Sequence, residues 1–121
     1  MSTSKTILIA DDEYSIVSYQ KEIIENYQPG HEIIVSYDGA DAFQKYKRYK
    51  PELLLVDVAM PIMSGLELIK SIFKIGEKPL IWAITGNCNR TKMIQLKELV
   101  NDKILLKPFK NNDIEYILDI L

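Results

Sequence analysis

Apolar residues along the chain follow two alternating rhythms. Five short runs are almost unbroken: Thr6–Ala10, Glu32–Ser36, Leu53–Val56, Leu80–Thr85 and Ile104–Leu106. They are too short for helices, and their Ile, Leu and Val content suits strands covered on both faces. Between and after them the spacing turns helical. Ile16, Tyr19, Ile23 and Tyr27 stand at offsets 0, 3, 7 and 11. Leu66, Ile69 and Phe73 stand at 0, 3 and 7, as do Met93, Leu96 and Val100. Ile114, Ile117, Leu118 and Leu121 stand at 0, 3, 4 and 7. A thinner stripe through Phe43 and Tyr46 marks a helix over about Ala40–Tyr49. Each stripe predicts a helix with one apolar face to lay on a sheet.

The punctuation agrees. Gln28-Pro29-Gly30 breaks the first helix and Lys50-Pro51 closes the second. Gly76 stands where a left-handed cap would end the third. No repeat, low-complexity stretch or linker interrupts residues 1–121, which read as one domain. Strict β/α alternation predicts an α/β fold, a doubly wound parallel sheet with helices on both faces. Such sheets place their sites at the carboxyl ends of the strands.

Reactive residues stand at those ends. The first strand runs into Asp11-Asp12, the third into Asp57, the fourth into Thr85 and the fifth into Lys107. Taken singly, each has a bland reading: an Asp there caps a helix, a Thr closes a turn, a Lys is solvated. The conjunction points further. Three neighbouring carboxylates repel one another, and a cation with a lysine relieves them. All-oxygen ligands suit a hard cation, best Mg²⁺. An Asp carboxylate can attack phosphorus, and Mg²⁺, ammonium and hydroxyl can meet the phosphoryl oxygens. Asp57, on the central strand, is the best nucleophile; Asp11 and Asp12 then hold the metal.

Composition narrows the field. Hydrophobic residues make up 47% and charged residues 26%, which suits a folded globular chain. Fifteen basic against seventeen acidic residues give a net charge of −2, without the basic excess of a nucleic-acid binder. One cysteine, Cys88, and one histidine, His31, exclude an internal disulfide framework and a histidine-rich zinc module. No apolar run is long enough to span a membrane, and the start is too polar for a signal peptide. A cytoplasmic location follows as the default expectation.

The motifs, taken in order, resemble a bacterial response-regulator receiver domain. They are Asp11-Asp12, the run Asp57-Val58-Ala59-Met60-Pro61-Ile62-Met63-Ser64-Gly65, Thr85-Gly86 and Lys107-Pro108-Phe109. The resemblance covers essentially the whole chain. It implies a flavodoxin-like (βα)5 sheet in the order 2-1-3-4-5. It implies that Asp57 accepts a phosphoryl group from a sensor histidine kinase or phosphotransfer protein. Asp12, Asp57 and the backbone carbonyl of Ala59 would hold Mg²⁺, with Asp11 acting through water. Thr85 and Lys107 would meet the phosphoryl oxygens, and the Lys107–Pro108 bond would be cis. Gly65 would permit the tight turn after Asp57. Ala59 and Asn87 occupy positions that tune phosphoryl lifetime in the family.

The chain departs from the family at Ile104, where an aromatic residue often stands. An aliphatic side chain cannot reproduce an aromatic flip, so a weaker or differently shaped response is expected. Tyr116 and Ile120 lie off the last helix's core stripe. With Ile104 they suggest an apolar patch on the face of helix four, strand five and helix five, used for a downstream protein target or a homodimer. His31 reads as a surface residue remote from the site, Cys88 as modestly exposed, and Trp82 as packing. The last helix, counted from Asn112, is short for the family. Either a stand-alone receiver or the amino-terminal receiver of a longer regulator, with a DNA-binding or other effector domain, fits. An Asp-nucleophile phosphatase is the other chemical class, but its D-x-D pattern on an early strand is not the adjacent acid pair found here. No direct nucleic-acid or membrane binding is expected of this domain.

Overall fold

A computed structural model describes residues 4–86 and 88–121 of the chain. Five strands and five helices alternate: β1 Thr6–Ala10, α1 Tyr14–Tyr27, β2 Glu32–Ser36, α2 Gly39–Tyr49, β3 Leu53–Asp57, α3 Gly65–Lys74, β4 Leu80–Thr85, α4 Arg90–Val100, β5 Ile104–Leu106 and α5 Asn111–Asp119. The strands form one parallel sheet in the order β2-β1-β3-β4-β5. Strand positions follow the apolar runs, with Asp57 drawn into the end of β3. The last helix differs: α5 starts one residue before Asn112 and stops at Asp119.

Side chains alternate across the pleat and build two core layers. Leu8, Ala10, Leu54, Val56, Ile81 and Ala83 face Leu68, Ile69, Ile72 and Leu96 of α3 and α4. Ile7, Ile9, Leu53, Leu55 and Ile84 face Val17, Ile24, Ile114 and Ile117 of α1 and α5. Every residue of β3 is buried, as expected of a central strand covered on both sides.

The α1 stripe needs correction. Its buried residues are Val17, Gln20, Ile23 and Ile24, while Tyr19 and Tyr27 are exposed. The two tyrosines lie along the α1–α5 seam, where Tyr19 donates to Asn111 and Tyr27 donates to Asp119 at 2.8 Å. Ile23 is buried and Ile16 packs on the same core, as expected; only the two tyrosines depart from the stripe, because their rings are amphipathic and their hydroxyls find polar partners at the seam.

Helix starts are specified locally. Asp38 accepts the Asp41 N–H at 2.7 Å and opens α2. Ser64 and Glu67 form a capping box that opens α3 just beyond the Asp57 loop. Asn89 accepts the Lys92 N–H at 2.8 Å and opens α4. Lys50 closes α2 in a left-handed conformation, and Gly76, just beyond α3, also has positive φ. These caps fix where each βα loop ends, and so place the loops at one edge of the sheet.

Candidate functional site

At the carboxyl edge of the sheet, four strands deliver the five polar groups expected from the motifs. Asp11 and Asp57 are buried at 1% and 5% exposure, Thr85 is buried, and Asp12 is open to solvent. One carboxylate oxygen from each of Asp11, Asp12 and Asp57 lies within 4.8 Å of the others. Lys107 enters from the end of β5. Its Nζ lies 3.2 Å from Asp11 Oδ2 and 3.5 Å from Asp57 Oδ1.

Backbone contacts hold these groups in place. The Lys107 N–H donates to the Thr85 carbonyl at 2.9 Å, and the Val58 N–H donates to the Ile84 carbonyl at 2.9 Å. Asp57 is thereby registered against Ile84, one residue before Thr85. The Lys107–Pro108 peptide is cis, as the resemblance implied. Gly65 permits the tight return of the chain after Asp57, as expected, and does so by close approach: its φ is not positive, its N–H donates to the Val58 carbonyl at 2.9 Å, and a Cβ there would stand 2.2 Å from the Asp57 carbonyl oxygen. Ala59 is exposed in the loop between, and Ile62 is 81% exposed with a positive φ of 70°, a backbone region costly for a β-branched residue.

The electrostatics follow from burial and proximity. Burial, reinforced by the charge of Asp11, pushes the Asp57 carboxyl up to about 6. Burial also raises Asp11, and the Glu13 N–H and Lys107 offset only part of this. For Lys107 burial opposes the charge, but Asp57 and Asp11 outweigh it and the ammonium is held above its usual range. Three carboxylates around one ammonium leave excess negative charge on hard oxygen donors. Asp11, Asp12 and Asp57 could therefore hold a cation.

Sequence reasoning missed one participant. Glu13 places Oε1 3.5 Å from Lys107 Nζ, and its N–H donates to Asp11 Oδ1 at 2.9 Å. The available signal was a third acid at the start of α1, where Asp, Ser or Asn is the better cap. The other residues singled out lie elsewhere. Cys88 is half-buried against the α4-side core, and Asn87 lies outside the described residues. His31 is half-buried, not fully on the surface: its Nδ1 accepts the Lys5 N–H at 2.9 Å, and its Nε2 lies 2.8 Å from Gln28 Oε1. It lines a cleft of about 730 Å³ at the opposite end of the sheet. That cleft is open and shares no residue with the carboxylate cluster.

Tyr116 and Ile120 are 59% and 49% exposed, and Leu106 and Ile94 on β5 and α4 are exposed as well. Ile104 is half-buried and packs on the α4-side core, whereas Trp82 packs on the α5 side with its ring edge-on to Tyr116.

The pattern of residues 7–119 matches the family model of the response regulator receiver domain. The chain belongs to that family. Response regulator GtcR of Aneurinibacillus migulanus is 35% identical over 106 residues, which are 88% of this chain and 43% of that protein. The chemotaxis protein CheY of Thermotoga maritima is 30% identical over 107 residues, 88% of each chain. The chain thus spans under half of one such relative and most of the other. A CheY-like receiver domain protein from Methanospirillum hungatei superposes with a TM-score of 0.88, covering 98% of this chain and 93% of that one at 24% identity, and so shares the fold. The receiver is a phosphoacceptor switch by family. No described helix is long and apolar enough to cross a membrane.

Proposed function

We propose that Asp57 is the phosphoacceptor of this receiver and that residues 1–121 act as one switching domain. The observation that carries the reading is the shared position of Lys107. One ammonium bridges the buried carboxylates of Asp57 and Asp11, while Asp11, Asp12 and Asp57 converge on one point. An ionised Asp57 Oδ attacks phosphorus as the bond to the donor's imidazole nitrogen breaks, and the imidazole keeps the electron pair. Lys107 and the Thr85 hydroxyl then meet the phosphoryl oxygens. Asp11, Asp12, Asp57 and the Ala59 carbonyl would hold Mg²⁺, Asp11 through water. When bound, Mg²⁺ neutralises the carboxylates and the incoming phosphoryl charge.

The donor is a sensor histidine kinase or phosphotransfer protein, and the domain works in the cytoplasm. It assists its own phosphorylation and hydrolysis and turns over no outside substrate. The response passes to the α4–β5–α5 face, where Ile94, Leu106, Tyr116 and Ile120 are exposed. That face binds a downstream protein or a second copy. Ile104, half-buried and aliphatic, leaves a loop shift after Thr85 as the transmitting motion. In a longer regulator the same face would control an effector domain.

Intact-protein mass after incubation with acetyl phosphate and Mg²⁺ tests this reading. The expected result is the gain of one phosphoryl group, lost in Asp57→Asn and in a chelated sample. A gain that persists in Asp57→Asn would move the acceptor elsewhere.

A further inference from the structure

Lys107 faces three carboxylates, and they are not equivalent. Asp11 is 1% exposed and is fixed by the Glu13 N–H at 2.9 Å. Asp57 is 5% exposed and lies within the ladder of β3. The Glu13 side chain is 60% exposed, with its Oε1 3.5 Å from Lys107 Nζ. Neither Asp11 nor Asp57 can leave Lys107 without stranding a buried charge, which is costly. Glu13 can leave into water.

The helix cap supports the same distinction. Glu13 occupies the N-cap of α1, yet its side chain makes no capping hydrogen bond. Asp38, Ser64 and Asn89 at the equivalent positions of α2, α3 and α4 all do. The Glu13 carboxylate is therefore not committed to its own helix and is turned towards the site mouth. Deleting its charge leaves no capping bond unmade.

We propose that Glu13 is a positioning residue for Lys107: it holds the ammonium in the unphosphorylated state and is the partner that Lys107 releases when a phosphoryl group arrives on Asp57. The proposal rests on the phosphoacceptor reading of Asp57. An ammonium has three donors, and a phosphoryl group brings strongly accepting oxygens. Two anions cannot both be served well at the exposed side of Lys107, and Glu13 would also repel the new charge. Glu13 thus weakens the phosphorylated state relative to the free one. The effect is bounded by the modest strength of a partly exposed ion pair.

The test uses the full chain at saturating Mg²⁺ with acetyl phosphate as donor. Intact mass follows the rate of phosphoryl gain and, after donor removal, its loss. Glu13→Gln keeps the size and removes the charge. It is expected to gain the group about threefold faster at low ionic strength and to hold it longer. The gap should close near 1 M salt, where the screening length is about 3 Å. A purely structural role for Glu13 would not produce that salt dependence. Equal rates at low salt, or a difference indifferent to salt, overturn the proposal. If the parent gains no group, the acceptor reading falls and this proposal falls with it. If the parent gains the group and Glu13→Gln matches it, only the role of Glu13 falls.

Discussion

Asp57 is the residue with most to gain from a ligand. Its carboxyl is buried, beside Asp11, and is pushed up to about 6 from 3.8. Below about pH 4 Asp57 is protonated whether the chain is folded or not, and it costs nothing. As pH rises through 4 to 6 the folded state holds its proton longer than the unfolded state, so stability falls. Above about pH 6 the cost is complete. At 1.36 kcal/mol per unit it amounts to roughly 2–3 kcal/mol before solvent relaxation. Asp57→Asn should therefore stabilise the chelated protein at pH 7 by about 1–3 kcal/mol, and hardly at all at pH 4. Urea midpoints at the two pH values check this. A stabilisation of equal size at both would remove ionisation as its cause. The identities of Asp57, Thr85 and Lys107 were legible in the sequence from their places after apolar runs. The degree of burial that perturbs Asp57 was not, because it depends on how closely Asp11 and the surrounding loops pack over the end of β3.

Among the elements, α2 shows how close packing shapes the site loop. Gly39 opens α2, and a Cβ there would stand 1.9 Å from the Met63 carbonyl oxygen. The helix start is thus pressed on the loop that carries Ala59 to Met63. The clash is with backbone, which cannot turn away. Gly39→Ala should cost about 2–3 kcal/mol and lower metal affinity through the displaced loop. Gly86→Ala is the internal control: its Cβ would lie 3.7 Å from Lys107 Cβ, an ordinary contact. It should change stability by less than about 0.5 kcal/mol. Thermal midpoints and Mg²⁺ titrations of both variants decide the matter; equal losses would deny the steric account. Element positions themselves were largely legible, since strand runs and caps are local. The exceptions were amphipathic. Tyr19 and Tyr27 fit a helical stripe by spacing, yet their hydroxyls face Asn111 and Asp119 on α5.

Taken whole, the molecule couples folding to ligand binding through that one edge of the sheet. Asp11, Asp12 and Asp57 come from β1 and β3, which are adjacent only when the sheet is assembled. A cation that binds them binds the folded state alone, and so stabilises it by mass action. Each tenfold rise in Mg²⁺ beyond its dissociation constant should add about 1.4 kcal/mol. The effect should disappear with chelator and shrink in Asp57→Asn. Denaturation curves across a Mg²⁺ series check this, and flat midpoints in the parent would argue against a cation site at this cluster.

The α/β alternation, the strand and helix positions and the residues at the strand ends were all legible in the linear order of residues. These depend on period, caps and order along the chain, which are local properties. The remainder arose from packing between elements. Packing turned Tyr19 and Tyr27 of α1 out of the core, because their hydroxyls find partners on α5. It assigned Gly65 a steric role against Asp57, because that contact closes only when the loop folds back on the strand. It brought Glu13 to Lys107 across 94 residues of chain. Spacing reports what each element is; only packing brings distant charges within reach of one another.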